Sequence, residues 1–125
     1  MPTDALRDFR DTIVETRDYG FDKLKDAQWA LGTAVRKMMA DKGVTSVAAE
    51  GFGAPGVVVS YTSDPDVQTG KKFAAEGMQI AAGVPLQCDE PADFRTFRIG
   101  LFGLDKLYDV EGTVARLARV VDQVL

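Results

Sequence analysis

Arg98 lies in the run Thr96-Phe97-Arg98-Ile99-Gly100-Leu101-Phe102. The run reads as a strand, so alternate residues face opposite ways. Phe97, Ile99 and Leu101 form one apolar face that should meet helices. Thr96, Arg98 and Gly100 share the other face with Phe102, and Gly100 leaves open space beside the guanidinium. An arginine in such a niche can grip a carboxylate through two parallel hydrogen bonds. The competing reading is a surface arginine, or one paired internally with Asp89, Glu90 or Asp93, since surface ion pairs are common and weak.

Other residues offer less. Arg95, three residues earlier, is expected at the strand's edge in solvent. Cys88 reads as a small filler or an exposed loop thiol, with no base nearby to activate it. Lys71 and Lys72 are neighbours on an exposed helix face, whereas a Schiff-base lysine needs a buried, tuned site. Trp29, Phe9 and Phe21 suit core or interface packing better than base stacking. The stretch Gly51-Phe52-Gly53-Ala54-Pro55-Gly56 matches the glycine pattern of dinucleotide loops. That pattern needs a helix after it, to supply free N–H groups to a pyrophosphate. Here the strand-like Val57–Tyr61 follows, and Pro55 removes a donor. The loop is therefore expected to join two strands. The chain has no histidine. That removes Ser-His-Asp and Cys-His catalysis and histidine-based zinc sites. No carboxylate cluster has metal-ligand spacing.

The elements that must position Arg98 follow from periodicity. Residues 4–42 keep a helical spacing through Leu6, Phe9, Ile13, Phe21, Leu24, Leu31, Val35 and Met38. The seam slips at Tyr19-Gly20, which predicts a break between two helices. Thr3 or Asp4 should cap the start, and Gly43 suits the position after the end. Val44–Ala48 is a short strand candidate and Val57–Tyr61 a stronger one. Asp64-Pro65 reads as an N-cap and first helical residue, opening a helix to about Gly77. Gln79–Ala82 predicts a brief strand, Gly83–Asp93 a loop, and Thr96–Phe102 a strand. Asp109 caps a last helix with the stripe Val110, Val114, Leu117, Val121 and Val124. The order predicts an α+β fold: a small, mostly antiparallel sheet of three to four strands covered by helices, with two long N-terminal helices. Those two helices are long for so small a sheet, so their apolar faces want a further partner surface.

The 125 residues read as a single domain, 1–125, and can bury a core without disulfides. Composition is that of a globular protein, 46% hydrophobic and 27% charged. A net charge of −4 with no basic run argues against nucleic acid. No apolar run approaches the ~18 residues of a membrane span. The start lacks the features of a signal peptide, and the lone Cys88 permits no internal disulfide. A cytoplasmic setting is the expectation.

From Gln79 onward, "QIAAGVPLQ…FRTFRIGLFGLDKLYDVEGTVARL" resembles the C-terminal small domain of class V, fold-type I, pyridoxal-phosphate aminotransferases of the alanine–glyoxylate and serine–pyruvate type. The R-I-G-L-[LF]-G strand and the loop before it are the most specific part. "LRDFRDTIVETRDYGFDKLKDAQWALGTAVRKMMADKGV" is similar to that family in layout: helix, glycine break, second helix, terminal glycine. The similarity is strong over 79–117 and loose elsewhere.

The resemblance implies a domain that closes over the substrate of a transaminase, which moves an amino group between an amino acid and a 2-oxo acid. It assigns Arg98 to the substrate α-carboxylate. Pyridoxal 5′-phosphate would be the cofactor of the intact enzyme. Its Schiff-base lysine would lie in an upstream large domain outside these residues, so the chain alone should hold no cofactor and show no activity. Catalytic, cofactor and metal residues are expected to be none here, and a homodimer is expected. The alternative is a stand-alone, non-catalytic dimerisation or interaction module.

Overall fold

Glycine 20, with a φ of 104°, divides the front of the chain into two helices, α1 (Thr3–Tyr19) and α2 (Phe21–Asp41). The computed structural model describes residues 2–125. The break falls where the apolar spacing slips. The start of α1 differs from the expectation. Thr3 is already helical, so neither Thr3 nor Asp4 stands at the N-cap, which is Pro2 and carries no side-chain cap bond. Asp4 still favours the first turn through the helix dipole and pairs with Arg7 at 3.1 Å. At the far end of α2, Gly43 (φ 77°) donates to the Ala40 carbonyl, and Val44 donates to Met39. These two bonds form the reversal that a left-handed glycine permits.

Three strands form one antiparallel sheet: β1 (Val57–Tyr61), β2 (Ala81–Ala82) and β3 (Thr96–Gly100), in the order β1-β3-β2. The candidate strand at Val44–Ala48 is only a partial edge. Val47 donates to Val59 and Tyr61 to Thr45, with a single bridge at Ser46–Ser60. A turn closed by Phe52 N–H to the Ala49 carbonyl then takes the chain away. β3 ends at Gly100 rather than Phe102, because β1 offers its last partner at Val57. One further bond, Leu101 N–H to the Gly56 carbonyl, closes the ladder.

The helix expected from Asp64 to about Gly77 is instead two single turns, α3 (Pro65–Gln68) and α4 (Lys71–Ala75). Asp64 caps the first, accepting from Asp66 N–H at 2.8 Å. Gly70, with a φ of 82°, separates them. Even a Cβ there would press to 3.2 Å from Ile80 Cγ1. A short helix, α5 (Leu104–Leu107), precedes α6 (Val110–Val124), which Asp109 caps at 2.9 Å through Gly112 N–H.

The core lies between the inner face of the sheet and the helices. Val58, Phe97 and Ile99 meet Leu31, Val35 and Met39 of α2 and Leu117 and Val121 of α6. Phe73 of α4 packs on Phe97 with ring centroids 5.7 Å apart. Burying a side chain such as Phe97 contributes about 2–3 kcal/mol. The stripe of α6 behaves as its spacing predicts, with Val110 and Val114 half-buried at its outer end. The front seam divides at the kink. From Leu24 onward it enters the core, whereas α1 buries no residue, and Leu6, Phe9 and Ile13 stay exposed with Phe21 and Trp29. Among the described residues, no helix is long and apolar enough to cross a membrane.

Candidate functional site

Arg98 sits in the middle strand, opposite Val59 of β1 on one side and Ala81 of β2 on the other. Its neighbours Phe97 and Ile99 are buried, and Arg98 itself is half-buried. The alternation predicted for the strand therefore holds at these three residues. A Cβ added at Gly100 would meet nothing within 4 Å, so the strand face that Arg98 shares is open over Gly100. Nε of Arg98 donates to the Ala82 carbonyl at 2.9 Å. Among the described residues no carboxylate pairs with Arg98, and its Nη atoms make no hydrogen bond.

The acidic residues that could have neutralised it are accounted for in part. Glu90 turns back into its own loop. It accepts from the N–H groups of Leu86, Gln87 and Cys88 at 2.6, 2.9 and 2.8 Å. Those bonds, Cys88 first and then Gln87, bring its pKa down to about 2. The loop carries two non-glycine residues of positive φ, Gln87 and Asp89, and bounds a pocket of about 480 Å³ together with Gln68, Phe94 and Thr96. Arg98 does not line that pocket.

Of the two other residues expected beside Arg98, Thr96 keeps its face but is covered, and Phe102 lies elsewhere. Thr96 is 2% exposed, with Gly83 lying against its carbonyl and hydroxyl. Phe102 is past the end of the strand and 68% exposed, with its ring over Gly56. Arg95 also departs from expectation. It is half-buried rather than solvated, donating to Gln68 Oε1 at 3.0 Å and to the Ser63 carbonyl at 2.8 Å. It ties β3 to the start of the α3 segment.

The remaining candidates do not join Arg98. Cys88 is exposed, and desolvation followed by the Glu90 carboxylate raises its thiol pKa, so the thiolate is disfavoured. Lys72 pairs with Asp64 at 2.5 Å and Lys71 with Asp66 at 3.6 Å. Lys72, followed by the Asp66 N–H, holds the Asp64 carboxyl below its usual range. Among the described residues no lysine is buried and no group of three acidic or thiol side chains could hold a metal. These residues do not fit a Schiff-base cofactor site.

The glycine loop is followed by β1, not by a helix. Its polar contacts run through carbonyls. Arg36 Nη2 donates to the carbonyls of Ala54 and Val57 at 2.9 and 3.0 Å. Gln28 Nε2 donates to those of Pro55 and Leu101 at 2.9 and 3.2 Å. Gly32 lets α2 approach, since a Cβ there would lie 2.7 Å from the Pro55 oxygen. Neither Gln28 nor Arg36 stood out as a candidate from the sequence. A signal existed for Gln28: it occupies the apolar seam between Leu24 and Leu31, where a polar residue needs buried partners. No protein-family model matches this chain, and a search of curated proteins finds no match.

Proposed function

We propose that this chain is the substrate-closing domain of a pyridoxal-phosphate aminotransferase, with Arg98 gripping the α-carboxylate of the amino acid and of the 2-oxo acid. The observation that carries the reading is the state of Arg98: held at Nε, without an acidic partner among the described residues, on a strand face left open at Gly100. A cation in that state is suited to an anionic ligand with planar, two-bond geometry. The sequence resemblance supplies the reaction; the arginine supplies the point of contact. The cofactor, when bound, acts as the electron sink for amino transfer, and residues outside this chain would hold it. This chain's own residues bind and orient the carboxylate and help exclude water from it.

One observation suits a second reading as well as the first. Leu6, Phe9 and Ile13 of α1 are 49%, 65% and 46% exposed along one seam. A non-catalytic dimerisation module would use such a seam, as would a domain that packs on a larger one.

The test is titration of the chain with pyruvate, followed by backbone amide shifts, with methyl pyruvate as the uncharged comparison. Saturable shifts centred on β3 and residues 81–83, absent with the ester and lost in Arg98→Lys, support the carboxylate role. Lysine keeps the charge but not the planar fork. Equal responses to acid and ester, or a full response in Arg98→Lys, overturn it. In the two-domain enzyme that this reading implies, Arg98→Lys raises KM for amino acid and oxo acid alike. The loss is about 2–5 kcal/mol in kcat/KM.

A further inference from the structure

We infer that the Ala82 carbonyl fixes which edge of the Arg98 guanidinium is free for a ligand, and that Gly83 is the residue that puts that carbonyl in place. The inference rests on the carboxylate reading of Arg98 and adds to it a binding geometry and a positioning residue.

A guanidinium presents two usable forks. The side-on fork uses Nε–H with one Nη–H; the end-on fork uses one N–H from each Nη. In this protein Nε–H is already donated to Ala82 at 2.9 Å. The side-on fork is therefore spent, and the end-on fork, with both Nη atoms unpartnered among the described residues, is the one left for a carboxylate. The same bond restrains rotation of the guanidinium plane, so less ordering is needed when the ligand arrives.

The Ala82 carbonyl is held by a close approach of backbone to backbone. β2 pairs with β3 over Ala81 and Ala82 alone, opposite Arg98 and Phe97. Immediately afterwards Gly83 donates its N–H to the Gln68 carbonyl at 3.0 Å. A Cβ at residue 83 would lie 1.8 Å from the Thr96 carbonyl oxygen and 2.5 Å from its carbonyl carbon. Those atoms belong to β3 and cannot swing aside as a side chain could. The glycine is required by proximity, one of the uses that its missing Cβ permits. Any side chain there must push residues 82–83 away from β3, and the Ala82 carbonyl with them.

The experiment is side-chain NMR of the whole chain, following the Nε–Hε group of Arg98, with the exposed Arg116 and Arg119 as internal references. In the unaltered protein, Arg98 Hε should exchange with water roughly tenfold more slowly than the reference groups. It should also show a through-hydrogen-bond coupling to the Ala82 carbonyl carbon. Saturation with pyruvate should move the Nη resonances and leave Hε protected. Gly83→Ala should abolish the coupling, release Hε, and shift pyruvate saturation to several-fold higher concentration.

Exchange of Hε at the reference rate in the unaltered protein overturns the inference, whatever the variant does. Loss of Hε protection on adding pyruvate overturns it too, since the ligand would then be taking the side-on fork. A folded Gly83→Ala protein with coupling and protection intact overturns the role of Gly83. Protected Hε and a released variant, with no response of Nη to pyruvate, uphold the positioning and reject the carboxylate reading instead.

Discussion

Arg95 and Gln68 are joined side chain to side chain, Nε to Oε1, at 3.0 Å, and the same guanidinium donates to the Ser63 carbonyl at 2.8 Å. Arg95 thus fastens the outer end of β3 to the segment that enters α3. Arg95→Ala should destabilise the fold by about 1–2 kcal/mol, the cost of removing a charged donor from one part-buried and one exposed acceptor. A lower urea midpoint with unchanged slope would show it. Arg95 is therefore unsuitable as a neutral control for Arg98, and Arg116 on the exposed side of α6 serves better.

Gln28 bridges the glycine loop at Pro55 and Leu101, the residue just past β3. Gln28→Leu fills a similar volume but leaves those carbonyls without their donor. The expected loss is about 2–3 kcal/mol, read as a fall in thermal midpoint. An unchanged midpoint would mean that water takes over both acceptors.

Acid should loosen the loop that Glu90 gathers. Its folded pKa, about 2, lies below the ordinary 4.5. A depressed carboxylate pKa contributes stability above the unfolded value, and that contribution is lost as pH falls through the folded value. The amide resonances of Leu86, Gln87 and Cys88 should therefore hold their shifts above pH 4.5 and move together between 4.5 and about 2. Glu90→Gln should produce the loosened shifts at neutral pH. Independent movement of the three amides would contradict a shared carboxylate.

The seam of α1 should promote association of the chain with itself. Exposed Leu6, Phe9 and Ile13 stand in a row on a helix with no buried residue. Sedimentation at rising concentration should show a dimer, and Phe9→Asp should return it to monomer while leaving the core spectrum intact. A concentration-independent monomer in the unaltered chain counts against a self-association role for α1.

Local pattern was enough for several elements. The slip at Tyr19-Gly20, the β-branched run of β1 and the stripe of α6 each depend on neighbours in sequence, and each stands where its spacing places it. The break at Gly70 is a left-handed turn with Ile80 packed where a side chain would go, a contact that periodicity cannot register. The same limit applies at the candidate site. Alternation placed Arg98 on the face away from the core, with Gly100 open beside it. Alternation also placed Thr96 on that face. It could not register that Gly83 returns to lie against Thr96, nor that the returning chain brings a carbonyl to Arg98. Arg95 is the same case: its place at the strand's edge was readable, but its partners come from residues 63 and 68.

The sheet order β1-β3-β2 places the last strand of the sequence at the centre. On a ribosome both edges emerge before the middle. Until Thr96–Gly100 has been made, Ala81–Ala82 has no ladder partner and Val57–Tyr61 has only the partial edge at residues 45–47. The helices α1 and α2 can form locally in the meantime, while Leu31, Val35 and Val58 wait without the surface that will cover them. Sheet formation is thus a late, long-range step. A nascent chain stalled before Thr96 should stay open to proteases and to chaperones that bind apolar surface, and that state should end only once both Thr96–Gly100 and α6, which packs on α2, have emerged.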